Sequence, residues 1–181
     1  VAGNHNANSV YEQGLVRLGW AVSDKLTIQG SAGIENRNVQ ESGATDPVTA
    51  VFSLGASWKA SEKTAVDLTA SRGTRASNAG ASQLNEETSV VAAIRQALVE
   101  GVSLSLQGGY IKSHYKAINT AAAGTVRDDD YVFVKPSLNY RFMERAQASV
   151  YYQYRRNDSD AVSNLGDFYN NQIGLELSYK F

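Results

Sequence analysis

Side chains suited to catalysis are few in this chain. Its only histidines are His5 and His114, and a histidine base needs an oriented partner. His114 and the run Asp128-Asp129-Asp130 could together imitate a hydrolytic site. The plainer reading, a solvated loop histidine beside solvated acids, is preferred. The acidic run could attract a divalent cation, but it lacks the Gly and Glu spacing of a calcium loop. Cysteine is absent, which excludes disulfides, thiolate metal sites and Cys nucleophiles. The net charge is -1, and no Gly-rich phosphate loop, zinc motif or nucleic-acid patch is present. Catalytic, metal and cofactor sites are therefore expected to be none.

A second set of titratable residues is more informative. Arg17, Glu35, Asp67, Arg95, Lys135, Arg141, Arg155 and Glu176 all fall at polar positions of segments in which apolar and polar residues alternate. Mixed charges of this kind cost little where water or a counter-ion is near, and rings of them set the selectivity of a channel. Arg17, Arg95, Lys135, Arg141 and Arg155 are the ones placed to attract an anionic sugar. Arg155-Arg156 beside Asp158 and Asp160 reads as a rim cluster able to meet phosphates.

The elements that position these residues are strands. Val16, Leu18, Trp20 and Val22 alternate with Arg17, Gly19 and Ala21, Ser23 to Lys25 turns, and Leu26, Ile28, Gly30, Ala32 and Ile34 return with the same parity. The pattern repeats to give about nine strands of roughly 9 to 13 residues. Short turns alternate with long polar loops, about Asn36 to Pro47, Thr74 to Asn85, Ser113 to Asp129 and Asn157 to Phe168. Ser89 to Leu98, rich in alanine, would tolerate a helix and is read as the fifth strand. Pro136 interrupts a strand, since proline cannot donate to a ladder.

Alternation alone fits a soluble sandwich as well as a membrane barrel. Three features favour an antiparallel, up-and-down, transmembrane all-β barrel. The strands reach the roughly 9 to 11 residues that a bilayer requires, and every other connection is tight. Aromatics also mark two interfaces on the apolar face: Trp20, Trp58, Tyr140, Phe142, Tyr179 and Phe181 toward one rim, Tyr110, Tyr152 and Tyr154 toward the other. No run approaches the roughly 18 apolar residues of a membrane helix. Ten Tyr, 15 Gly and 2 Pro suit strands and turns.

The final strand, Ile173, Leu175, Leu177, Tyr179 and Phe181, resembles the C-terminal signal strand of bacterial outer-membrane barrels. YVFVKPSLNYRF (Tyr131 to Phe142), SVYYQYRRNDSD (Ser149 to Asp160) and FYNNQIGLELSYKF (Phe168 to Phe181) look like the end of the putative β-barrel porin 2 family. That resemblance implies an integral protein of the outer membrane, often linked with exopolysaccharide operons. It also implies outer-membrane lipid, lipopolysaccharide and the barrel-assembly machinery as partners, and no nucleic acid.

An odd strand count puts the two ends on opposite sides, whereas complete single-chain barrels have an even count. The chain, 1–181, is therefore expected to be a single barrel domain, or the C-terminal part of a larger one. Residues 1–9 would be the tail of an external loop, and missing N-terminal strands or other envelope proteins would complete the sheet. The expected function is a porin-like channel for polar solutes or polysaccharide. The alternative is a non-conducting anchor or adhesin scaffold presenting its loops outside.

Overall fold

The computed structural model describes residues 9–39, 48–76, 83–117, 127–160 and 166–180. His5, Phe181 and the proposed external tail lie outside them, except for Ser9, which opens the first strand. The nine strands are β1 Ser9–Ser23, β2 Leu26–Val39, β3 Val48–Trp58, β4 Thr64–Ala76, β5 Gln83–Val99, β6 Val102–Ala117, β7 Arg127–Met143, β8 Ala146–Ser159 and β9 Phe168–Tyr179. They form one antiparallel meander in sequence order, and among the described residues β1 and β9 are each paired on one side only. The sheet is open.

Register holds every apolar row on one face. Trp20 pairs with Ile28, which pairs with Ala56, and Ala56 continues to Leu68 and Ala92. A soluble sheet buries that row, yet here Leu18, Trp20, Leu54, Ile173, Leu175 and Leu177 are all exposed. On β7, Val132, Val134, Leu138 and Tyr140 are exposed while Tyr131, Phe133, Lys135, Ser137 and Asn139 between them are half-buried. Along β7 the polar face is the more sheltered one, the inverse of a soluble fold, while β9 at the sheet edge is exposed on both faces.

Tight connections close one rim. Ser23 Oγ accepts from the amides of Lys25 and Leu26 at 3.2 and 3.1 Å, a local side-chain turn. Between β5 and β6, Gly101 takes a φ of +74°, a left-handed conformation that favours glycine.

Alanine-rich β5 is a full strand of 17 residues, because pairing on both sides overrides its weak local preference. Pro136 is accommodated by a gap. It pairs with Leu106 of β6, but the β7/β8 ladder passes from Val134 and Tyr154 directly to Ser137 and Tyr151, the side on which a missing N–H is tolerated.

At the other rim the strands run further than the alternation predicts. β6 extends to Ala117 and β7 begins at Arg127, so His114 and Asp128 are strand residues rather than loop residues. Beyond the bilayer both faces of a hairpin meet water, and its strands carry no apolar row to betray them.

Candidate functional site: the polar wall and its rims

Arg17, Glu35, Asp67, Arg95, Lys135, Arg141, Arg155 and Glu176 all take the polar parity. Arg17 pairs with Ser31, Glu35 with Thr49, and Asp67 with Ser57 and Ala93. Arg95 pairs with Ser105, Lys135 with Gln107, Arg141 with Gln147, Arg155 with Asn170, and Glu176 with Ser149. The wall is knitted by side chains: Ser57 Oγ donates to Asp67 at 2.7 Å, Ser71 and Ser89 hydroxyls meet at 2.8 Å, and Asn139 donates to Ser105 at 3.2 Å. Glu35 is buried and accepts from Gln13 at 3.4 Å.

Toward the tight-turn rim, Arg95 and Arg141 border a cleft of about 370 Å³ with Ser103, Asn139 and Gln147. Among the described residues neither arginine has an acidic partner. A paired arginine is neutralised, but these two leave positive potential at the mouth.

The aromatics on the opposite face occupy two levels. Trp58 pairs with Leu26 and Val66, Tyr140 with Val102, and Tyr179 with Ala146, all beside tight turns. Tyr140 and Phe142 rings meet at 6.1 Å. Tyr110 pairs with Val132, eight residues along β7 from Tyr140, or about 27 Å of strand. Strand tilt reduces this to about the height of an outer-membrane apolar band. Tyr154, paired with Val134, lies one step below that upper row, whereas Tyr152, four residues along β8 from both Ala148 and Arg156, falls midway between the two levels.

Just beyond the apolar band, the same parity turns ionic. Glu86 receives Lys116 at 2.6 Å and Arg72 at 3.1 Å. His114 Nδ1 contacts Asp128, Tyr110 donates to Asp130, and Arg156 pairs with Asp158 at 2.9 Å. His114 and Asp128 thus form a cross-strand pair on the lipid-side face, away from the polar wall. Arg155 and Arg156 are not one cluster, because Arg155 turns inward to Asn170 at 3.1 Å. Asp160 instead ties the rim by accepting from the Asp128 amide at 2.6 Å.

Burial opposes charge on Glu86, but Lys116, then Arg72 and His114, hold its carboxyl below the ordinary value. A carboxyl held low contributes stability that is present above its unfolded value, about 4.3, and lost as pH falls through the folded value. Glu86→Gln is expected to cost about 1 kcal/mol at pH 7 and to flatten the loss of stability on acidification. Thermal unfolding in detergent between pH 7 and 3 checks both.

Sequence reasoning missed one group on the polar wall. Tyr131, Phe133, Tyr151 and Phe168 take the inward parity, with Tyr131 ring centroids 6.0 Å from Phe133 and 6.4 Å from Phe168. Their alternation with Val132, Val134, Val150 and Tyr152 was the available signal.

A meander with lipid-facing apolar rows, two aromatic levels and a polar wall is the wall of a porin-like outer-membrane barrel. Over residues 22–181 the sequence matches the family described as Putative beta-barrel porin 2, and the chain belongs to that family. Its place is the bacterial outer membrane. Among solved structures, it is similar to in-vitro folded OmpT, an outer membrane protein of Vibrio cholerae, with a TM-score of 0.61 and 14% identity over 93% of this chain and 55% of that one. Outer-membrane-expressed OmpT of Vibrio cholerae matches with a TM-score of 0.54 and 16% identity, over 97% of this chain and 57% of that one. At such identity the likeness shows the fold. The chain spans about half the length of these barrels. No curated protein is matched.

Proposed function

We propose that the barrel to which these strands belong is a passive pore for polar solutes, including saccharides, with selectivity set by the cations of its wall. The observation that carries this reading is the polar wall on which Arg95 and Arg141, both exposed, border an open cleft with no acidic partner among the described residues. A wall built only to fill a small barrel would neutralise such charges. The single-sided pairing of β1 and β9 supports a further reading, in which the nine strands are part of a larger even-stranded barrel. In this account β9 is the strand read by the assembly machinery, the ionic rim meets lipopolysaccharide phosphates, and the chain has no catalytic role.

Planar-bilayer recording of the full-length protein tests the pore. Ohmic steps with a preference for anions are expected, and the double substitution of Arg95→Glu with Arg141→Glu should move the reversal potential toward cations. Folded protein that carries no current would sink the pore and favour the non-conducting scaffold.

A further inference from the structure

Resting on that pore reading, the geometry points to a saccharide-binding track on the polar wall. Tyr131, Phe133, Tyr151 and Phe168 supply its stacking faces, and Lys135 and Arg155 its charge. Its ligand class is an acidic, linear oligosaccharide.

The first ground is how two of the rings lie. Phe133 faces Gly109 across the β6/β7 ladder, and Tyr151 faces Gly174 across β8/β9. A Cβ at Gly109 would come within 2.5 Å of the Phe133 ring, and one at Gly174 would overlap the Tyr151 ring. Each glycine leaves a shallow seat in which a half-buried ring lies against the wall on the polar side of the sheet. Tyr131 and Phe168 continue the surface from Phe133 toward the rim, and Phe168 is 48% exposed.

The second ground is what surrounds the rings. Lys135 Nζ stands 4.0 Å from the Tyr151 ring centroid. Gln172 donates to the Tyr151 hydroxyl at 3.2 Å, and Arg155 donates to Asn170 and Gln172 at 3.1 and 3.4 Å. Among the described residues neither Lys135 nor Arg155 has an acidic partner.

A sugar ring has an apolar C–H face edged by hydroxyls. Exposed aromatic faces take the first and side-chain amides the second. Unpaired cations beside the stack add a carboxylate site. A purely apolar solute would strand these amides and charges. Rings that merely cover glycine would need no unpaired cation beside them.

Calorimetry on the full-length protein in detergent, with hexagalacturonate and maltohexaose as probes, tests the track without depending on conductance. Hexagalacturonate should bind more tightly than maltohexaose. Tyr151→Leu and Phe133→Leu keep an apolar cover over the glycines but remove the flat face, and each should weaken binding about tenfold. Gly174→Ala, which displaces the Tyr151 ring while retaining it, should do likewise. Lys135→Gln should abolish most of the preference for the acidic sugar. No binding of either sugar, or leucine variants that bind as tightly as the parent, would overturn the track. Loss of current with sugar binding intact would count against the pore alone.

Discussion

Leu54→Arg is expected to remove about 2–4 kcal/mol of folding stability in a bilayer, the cost of a cation at the midplane of the lipid face. Leu54 is exposed and pairs with Gly30 and Ala70. It stands four residues from Trp58, about 13 Å along the strand, roughly halfway across the apolar band. Ser53, one residue away, takes the opposite parity between Ser31 and Ser71, so Ser53→Arg should change stability by less than about 1 kcal/mol. Urea unfolding in lipid vesicles measures the difference. Cysteines at the same two positions give an independent check, with residue 54 labelled from the lipid phase and residue 53 from water. Aqueous labelling of residue 54 with protection of 53 would reverse the facing of the sheet.

The second large effect concerns a residue that looks dispensable. Gly33→Ala is expected to destabilise by about 1–3 kcal/mol, in the range of overpacking, and to loosen β1 from β2. A Cβ at Gly33 would fall on the Gly14 carbonyl oxygen and within 2.9 Å of the Leu15 side chain. Backbone cannot step aside as a side chain can. Gly55 provides the contrast, because its nearest neighbour is the movable Gln29 side chain at 3.3 Å, and at Gly73 nothing lies within 4 Å. Gly55→Ala should be mild, and Gly73→Ala neutral or slightly stabilising by reducing the freedom of the unfolded chain. Hydrogen exchange along β1 would separate the three; equal protection in all of them would refute the steric account.

Much of this was legible in one dimension because a membrane barrel writes its two solvents into alternate residues. Leu26, Ile28 and Ile34 against Gln29 and Glu35 give the strand, the facing and the hairpin together. The strand ends were not legible, since the signal requires lipid on one side and the tips of β6 and β7 have water on both. Nor could the chain order show that Glu86 gathers Arg72 and Lys116, 14 and 30 residues away. That proximity is a product of register. The inward rings of Phe133 and Tyr151 were visible as residues of the polar parity. Their role depends on the glycines opposite them, and a pattern along one strand does not record its neighbour.

The gap at Pro136 gives the wall an uneven stiffness. In the middle of the β7/β8 ladder, Lys135 and Pro136 have no paired residue on β8, while pairing resumes on either side of them. A ladder with two stitches missing in mid-span bends more easily at that point than a continuous one. That gap lies beside Lys135 and Tyr151, so any flexing of the wall at this point is passed directly to this pair of side chains.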